Sequence, residues 1–308
     1  MSSKEAGQKN RPLVPLLMNN NYIENVKQVY PDLCIENCKP NDIGQNNDVL
    51  IINESLVFRF PKYKLGIVQL KKETEIFEYI RDIVSITIPH PIFQSFEVIE
   101  IGKVFSGYRL IEGSPLWKES LEKITNPELL KSLASQLVTF LIDVHSISKE
   151  KVSDVLNLED NDPSEEMHEL FHKIQNKLFP FIRKEAQNEI AQSFKTFIGG
   201  RAFLNLKTTL IHGDFGASNI LWNPEKSKIT GVIDFGGSGL GDPAYDFAGL
   251  LASYGEEFYK MCINLYPNGD EISERVKFYK STFALQEALH GIENSDNQAF
   301  ENGIKNYR

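Results

Sequence analysis

Two short stretches of this 308-residue sequence, HGDFGASN at residues 212–219 and IDFG at residues 233–236, give the strongest indication of its fold and chemistry. In the first, Asp214 is followed five positions later by Asn219, and Asp234 in the second ends a predicted strand. Phosphoryl transfer needs a carboxylate that orients and deprotonates the attacking hydroxyl, and oxygen ligands that hold Mg²⁺ against the donor phosphates. The order and spacing of these residues therefore predict a phosphotransferase site.

The same stretches resemble the aminoglycoside phosphotransferase family, which is related to the protein kinases. That family has His-Gly-Asp with Asn or His five residues after the Asp, and Ile-Asp-Phe/Trp-Gly further on. Its Asp-Pro-x-x-Asp matches GDPAYDF at residues 241–247. The resemblance extends from residue 20 to the end of the chain. It implies a two-lobed, protein-kinase-like α+β fold with a small β-rich N-lobe, a larger mostly helical C-lobe, and the active site between them.

The resemblance also implies a role for each matching residue. Asp214 would be the catalytic base that accepts the proton of the acceptor hydroxyl. Asn219 and Asp234 would bind Mg²⁺. Asp246 would hold the catalytic loop in place without touching the substrate.

The first lobe is closest to the 2''-phosphotransferase branch around VFRFPK at residues 57–62. A kinase needs a cation on this strand, paired with a helix glutamate, to reach the nucleotide phosphates. The family usually has Lys where this chain has Arg59, and Arg can still make charge-assisted bonds to phosphate. Lys62 is the second candidate for this cation, and Glu73 matches the partner glutamate.

Two further segments would contact the nucleotide, which is ATP or GTP. Residues 42–48, DIGQNND, retain one glycine, Gly44, of the usual phosphate-covering loop. Residues 107–113, GYRLIEG, match the hinge, where the backbone of Arg109 and Ile111 would contact the purine edge. Tyr108 would be the gatekeeper, and its bulk would favour GTP. As an ordinary core aromatic, Tyr108 would leave both donors open.

The acceptor is expected to be a small cationic molecule with a hydroxyl, an aminoglycoside-like antibiotic that the reaction inactivates. Its ammonium groups need carboxylates, and the candidates are Glu256, Glu257 and Glu287. The 2'' branch has an acidic pair just after Asp-Phe-x-x-Leu, where residues 251–253 of this chain are Leu-Ala-Ser. A macrolide, choline, homoserine or a sugar therefore remains an alternative acceptor. The alternative from another class is a catalytically silent nucleotide-binding module.

Composition excludes several other classes. With 33 Lys+Arg against 42 Asp+Glu the formal charge is −9, and no basic cluster suggests a nucleic-acid partner. Three cysteines without CxxC spacing indicate a reducing compartment. No apolar run reaches the roughly 20 residues of a membrane helix, and the N-terminus lacks a signal peptide. We therefore expect a cytoplasmic monomer without a membrane partner.

The hydrophobic pattern divides the chain into a disordered tail over residues 1–12, a nucleotide-binding N-lobe over 13–112, and a catalytic, acceptor-binding C-lobe over 113–308. In the N-lobe it predicts a hairpin over residues 49–60, a helix over 68–83, and strands over 96–101 and 108–111. In the C-lobe, Asn126 and Pro127 begin a helix. Further helices are expected over 164–198, 255–266 and 273–293, and strands over 210–211 and 231–233.

Overall fold

The structure is a computed structural model that describes residues 14–41, 46–156, 162–204 and 206–308. The predicted tail over residues 1–12 and Gly44 lie outside this part of the chain. Contacts divide the chain into two compact units. Of the described residues, unit 1 takes those up to Glu78 together with Pro89–Leu110, and unit 2 takes Tyr79–Ile88 and Ile111–Arg308.

Unit 1 is the β-rich unit. Its elements are α1 (Val14–Val29), β1 (Cys38–Asn41), β2 (Asn47–Ile52), β3 (Leu56–Pro61), most of α2 (Lys64–Ile80), β4 (Pro91–Ser95) and β5 (Phe105–Arg109). The strands form an antiparallel five-stranded sheet in the order β1-β2-β3-β5-β4. The predicted hairpin is confirmed by the antiparallel pairing of β2 with β3, and its turn has positive φ at Asn53 and Glu54, 52° and 54°.

The two faces of this sheet have different roles. One face packs against α1 and forms the core of the unit, where the ring of Tyr22 stacks on Phe60 with centroids 4.1 Å apart. The opposite face carries Arg59, which is paired in register with Ser106 on β5. The buried residues of the α1 face are Tyr22, Val26, Leu50, Ile52, Phe58, Phe60 and Phe105.

Unit 2 is mostly helical. Its elements are β6 (Ser114–Pro115), α3 (Lys118–Glu122), α4 (Pro127–His145), α5 (Lys149–Leu156), α6 (Pro163–Lys177), α7 (Lys184–Ile198), α8 (Arg201–Leu204), β7 (Thr209–Ile211), β8 (Ile220–Asn223), β9 (Lys228–Val232), β10 (Gly239–Gly241), α9 (Pro243–Tyr254), α10 (Glu256–Ile263), α11 (Gly269–Asn294) and α12 (Asn297–Ile304). The strands form a β7–β10 pair and a three-stranded sheet in the order β6-β8-β9. Among the described residues, no helix combines the length and apolar character needed to cross a membrane.

Several sequence predictions for unit 2 are confirmed and one is wrong in detail. Asn126 caps α4, since its side chain accepts the N–H groups of Glu128 and Leu129 and Pro127 follows it. The single helix predicted over residues 164–198 is broken into α6 and α7 by a short 3₁₀ turn, Phe179–Phe181. Pro180 lies in that turn, where it has no N–H to continue the helix.

The strand predicted over residues 96–101 is also wrong. The strand in this region is β4, which ends at Ser95, and the residues after it form turns. Val98, Ile99 and Ile101 supplied the apolar pattern, but their side chains remain 47%, 73% and 50% exposed. Alternating apolar residues predict a strand only where one face is buried.

Candidate active site

The catalytic loop, residues 212–219, connects β7 to β8 and is fixed to the core of unit 2 by its aromatic residue. Phe215, directly after Asp214, stacks on Phe140 of α4 with centroids 5.8 Å apart. Phe235, directly after Asp234, packs on the edge of the same Phe140 ring at 6.4 Å. Both phenylalanines are buried, and both aspartates are exposed. In each Asp-Phe pair the buried phenylalanine therefore anchors the backbone, and the aspartate beside it directs its carboxylate toward solvent.

Asn219 closes the catalytic loop. Its side-chain Nδ2 donates to the backbone oxygen of Asp214 at 2.9 Å and to the Asp214 carboxylate at 2.8 Å. Its backbone oxygen accepts the N–H of Ile233 at 2.9 Å, the residue before Asp234. The pairing of β8 with β9 thus brings both predicted metal ligands to one end of the same hairpin.

Asp246 holds the start of the loop from inside the core. Its carboxylate is fully buried and accepts the backbone N–H groups of His212 and Gly213, both at 2.8 Å. His145 Nε2 lies 3.1 Å from the same carboxylate. This arrangement supports the loop-holding role that the resemblance implies for Asp246.

The imidazole of His212 is also part of the loop framework. Its Nδ1 accepts the backbone N–H of Asp214 at 3.2 Å, and its Nε2 lies 3.2 Å from the backbone oxygen of Ile233. With Nδ1 as an acceptor, Nε2 is the ring nitrogen that donates, to the backbone oxygen of Ile233. His212 therefore connects the two aspartate-bearing segments through backbone groups.

The carboxylates of Asp214 and Asp246 have opposite electrostatic environments. Burial raises the pKa of Asp214, and the nearby charges of Asp234 and Asp246 act in the same direction against the lowering effects of His212 and Asn219. Burial also acts to raise the pKa of Asp246, but the bond from His145 and the nearby histidines outweigh it and lower that pKa. Asp214 is thus solvent-accessible yet a stronger base than an ordinary aspartate, as general-base catalysis favours.

The residues present fit a hard cation. Mg²⁺ prefers oxygen ligands, one or two from carboxylates, with waters and substrate phosphates completing the set. Both hydrogen bonds of the Asn219 side chain use its nitrogen, so neither occupies its amide oxygen. Asp234 has φ of 63°, and its Oδ1 lies only 3.3 Å from where a Cβ on Gly236 would be. A side chain at position 236 would therefore press against this oxygen.

Unit 1 brings Arg59 and Glu73 together. Arg59 Nη1 donates to Glu73 Oε1 at 2.6 Å, and both side chains are largely buried. The next residue of α2, Thr74, has its hydroxyl 3.2 Å from that of Ser106, the register partner of Arg59. The helix is therefore joined to the sheet beside the ion pair. Lys62, the alternative cation, is more exposed and lies 3.7 Å from Asp48.

The remaining predicted nucleotide contacts lie in the chain segment that passes from unit 1 to unit 2. Tyr108 is buried at 7% exposure, and Arg109, the last residue of β5, is exposed. The chain passes from unit 1 to unit 2 between Leu110 and Ile111, inside the predicted hinge segment.

The three candidate acceptor-binding glutamates are exposed in unit 2, and the structure does not bring them to one place by any described contact. Glu256 and Glu257 form the first turn of α10, and Glu287 lies on α11. The residue before Glu287, Gln286, accepts the phenol hydroxyl of Tyr245 at 3.3 Å.

Tyr245 was not identified from sequence as a site residue. Burial raises the pKa of its phenol, the Gln286 bond lowers it, and the charges of Asp214 and Asp246 raise it further. Tyr245 directly precedes Asp246, whose carboxylate holds the start of the loop that carries Asp214. Its position next to Asp246 in the Asp-Pro-x-x-Asp segment was the one signal that could have identified it.

Comparison with known proteins agrees with this geometry. A model of the phosphotransferase enzyme family matches residues 37–279, which is more than half of the chain. Viomycin phosphotransferase from Streptomyces vinaceus is 32% identical over 206 residues, covering 64% of this chain and 67% of that protein. The family resemblance seen in the sequence is confirmed.

Solved structures show the same fold. The GDP and kanamycin complex of the aminoglycoside phosphotransferase APH(2'')-IIIa superimposes with a TM-score of 0.85 at 23% identity, covering 93% of this chain and 96% of that chain. The macrolide 2'-phosphotransferase MphH from Brachybacterium faecium gives a TM-score of 0.71 at 14% identity, covering 92% and 97%. The predicted kinase-like α+β fold, β-rich in its first part and mostly helical in its second, is confirmed.

Proposed function

Because the chain belongs to the phosphotransferase enzyme family, we propose that it transfers the γ-phosphoryl group of ATP or GTP to a hydroxyl of an antibiotic, with an aminoglycoside-like molecule as the leading acceptor. The observation that carries this proposal is the loop in which Asn219 bonds to the Asp214 carboxylate at 2.8 Å while Asp246 holds the loop from the core.

In the proposed reaction the acceptor hydroxyl binds with its proton directed at the Asp214 carboxylate. The acceptor oxygen forms a bond to the γ-phosphorus as the bond from that phosphorus to the bridging oxygen breaks. The proton passes to Asp214, and the nucleoside diphosphate leaves with the electron pair of the broken bond. The raised pKa of Asp214 suits it to take this proton.

Asn219 and Asp234 are the residues that would hold Mg²⁺, through the amide oxygen of the one and the carboxylate of the other. When bound, the ion would offset the negative charge of the donor phosphates. In unit 1, Arg59 would bind the α- and β-phosphates, and Glu73 would hold its guanidinium in place, as the 2.6 Å ion pair supports.

Among the candidate acceptor contacts, Glu287 has the strongest support. It lies one position after Gln286 on α11, and Gln286 accepts the hydroxyl of Tyr245, the residue before the loop-holding Asp246. A carboxylate in this neighbourhood would bind an ammonium group of a cationic acceptor. Glu256 and Glu257 begin α10, and among the described residues no contact joins them to Tyr245.

Viomycin is the second candidate acceptor. The relative at 32% identity is named for phosphorylating it, whereas the solved aminoglycoside enzyme is more distant at 23%. Turnover assays with both acceptors distinguish the two.

The test is acceptor-dependent release of nucleoside diphosphate by the purified protein, with ATP or GTP and Mg²⁺, on kanamycin, gentamicin, viomycin, a macrolide, choline and homoserine. Mass spectrometry of the product should show one added phosphoryl group. Turnover with kanamycin or gentamicin supports the leading acceptor, and turnover with viomycin alone replaces it. No transfer to any antibiotic would contradict the proposal. A preference for GTP supports the gatekeeper role of Tyr108, and equal use contradicts it.

The role of Glu287 is tested by Glu287→Gln, with Glu274→Gln, an exposed glutamate on the same helix, as the matched control. Loss of one charge-assisted bond should raise the acceptor KM by about tenfold while the nucleotide KM stays unchanged. Glu256→Gln and Glu257→Gln, assayed in parallel, should have smaller effects. A KM that changes for Glu256 or Glu257 and not for Glu287 would transfer the assignment to α10.

A further inference from the structure

Ser253, in the last turn of α9, contacts the middle of the catalytic loop. The backbone N–H of Ala217 donates to the Ser253 hydroxyl oxygen at 3.0 Å. The loop also comes close at the preceding residue, since a Cβ on Gly216 would lie 3.3 Å from the same oxygen. Ala217 lies between Asp214 and Asn219, so the contact falls between the predicted base and a predicted metal ligand.

This contact belongs to a continuous face of α9. Asp246, Gly249 and Ser253 are spaced at i, i+3 and i+7, so they lie on one side of the helix. Asp246 holds the first two residues of the loop. Gly249 lets the backbone of the loop approach the helix at Phe215, because a Cβ on Gly249 would lie 2.5 Å from the backbone oxygen of Phe215. Ser253 then holds the loop at Ala217.

We propose that Ser253 is a positioning residue for phosphoryl transfer, one that fixes the middle of the catalytic loop and so the placement of Asp214 relative to Asn219. This inference rests on the proposed function. Small misplacement of reacting groups lowers rate strongly, because catalysis depends on a near-attack geometry. The Ser253 hydroxyl is the described acceptor for the Ala217 N–H, so its removal releases one of the loop's attachments to α9.

The end of α9 is the segment where the 2''-phosphotransferase branch carries an acidic pair. In this chain residues 251–253 are Leu-Ala-Ser, and Leu251 is buried. The hydroxyl of Ser253 is directed at the loop backbone. The last turn of α9 therefore supports the catalytic loop here and offers no carboxylate to a cationic acceptor.

The first experiment measures the loop directly, without any assay of activity. Hydrogen exchange of the Ala217 amide is followed by NMR in the full-length wild type, Ser253→Ala, Ser253→Thr and Ser281→Ala. Ser281 is the matched control, because its hydroxyl bonds within its own helix, to Phe278. Exchange at Ala217 should be about 2–10 times faster in Ser253→Ala, and unchanged in the control, since one hydrogen bond is lost. Equal exchange in wild type and Ser253→Ala would overturn the inference.

The second experiment separates positioning from binding. In Ser253→Ala, kcat should fall about 3–10-fold while the KM values for acceptor and nucleotide stay within twofold, and Ser253→Thr, which keeps the hydroxyl, should recover most of kcat. An unchanged kcat, or an increase confined to the acceptor KM, would overturn the positioning role. If the wild type transfers phosphate to no acceptor, the proposed function is wrong, and so is the predicted effect of Ser253 on kcat. Unchanged exchange with intact transfer overturns this inference alone.

Discussion

The carboxylate of Asp246 accepts the backbone N–H of Gly213 at 2.8 Å, one residue before Asp214. The predicted base is therefore held in position by a carboxylate that solvent does not reach. Stability and activity are coupled through this bond, because the loop that carries Asp214 is anchored to the folded core of unit 2.

Replacing Asp246 should damage both properties. In the wild type the Asp246 carboxylate accepts two backbone N–H groups. In Asp246→Asn the side-chain NH₂ replaces one of the two oxygens, so one of these backbone N–H groups faces another donor. We expect a loss of about 2–4 kcal/mol in the free energy of unfolding at pH 7, together with most of the activity. Urea denaturation measures the first and the phosphotransfer assay the second. A variant with wild-type stability would show that the bonds are not needed.

The same substitution carries a pH signature. The pKa of Asp246 is lowered in the folded state, so its ionised form stabilises the fold above the pKa of the unfolded chain, about 3.9. This stabilisation is lost as the pH falls through the folded-state pKa. The difference in unfolding free energy between wild type and Asp246→Asn should therefore shrink on acidification. A difference that is constant from neutral to acid pH would contradict this electrostatic account.

Asp214→Asn should lower activity but raise stability, whereas Asp246→Asn should lower both. Removing the proposed general base should lower kcat about 10²–10⁴-fold, with nucleotide binding retained. The pKa of Asp214 is raised, so its ionised form costs the folded state stability above that pKa. The variant should therefore melt at a higher temperature than wild type at pH 7, and the advantage should fade in acid, where both carry a neutral group. Wild-type kcat should also fall in acid at a higher pH than an ordinary aspartate would give.

The ion pair of unit 1 allows its structural and nucleotide-binding roles to be separated. Arg59→Met leaves the Glu73 carboxylate buried without this cation and should cost about 3–5 kcal/mol. The double variant Arg59→Met/Glu73→Met should regain most of that stability and should still bind nucleotide weakly. Urea denaturation and nucleotide titration of both variants test this. Normal nucleotide affinity in the double variant would assign the phosphate contact to another cation, with Lys62 next.

Gly213 and Gly255 form a matched pair for testing the space around the loop. Their φ angles are nearly equal, 79° and 80°, so an alanine is strained at both. A Cβ on Gly213 would overlap the backbone oxygen of Gly237, whereas a Cβ on Gly255 meets nothing within 4 Å. Gly255→Ala should cost about 1–3 kcal/mol through backbone strain alone. Gly213→Ala should cost more and abolish transfer, and equal effects in thermal melting would contradict the overlap.

The chemistry-bearing segments could be predicted because their information is local. The catalytic loop and the Asp234 segment each carry an Asp-Phe pair within a short fixed pattern, and the structure explains the pair by burying both phenylalanines on Phe140. The Arg59–Glu73 pairing was predicted from the family resemblance, which places a strand cation and its helix glutamate at these two positions.

The remaining features of the fold and site depend on contacts between residues that are far apart in the chain, and no local sequence pattern encodes such contacts. Ser253 looks like an ordinary helix residue until Ala217, 36 positions earlier, is placed against it. The same holds for Tyr245 and Gln286, which are 41 positions apart. Strand β8 was missed because its apolar run follows directly on the catalytic loop, and its pairing with β9 became evident only in the fold.

The face of α9 that contacts the loop should tolerate substitution less well than the exposed side of α11. Its contacts use a buried carboxylate, a hydrogen atom in place of a side chain, and one small hydroxyl, so a random library at Asp246, Gly249 and Ser253 would mostly yield inactive protein. The exposed side of α11 around Glu287 makes no such contact in the described structure. Directed evolution toward a new acceptor is therefore best begun on α11, with α9 kept unchanged as the frame on which the chemistry depends.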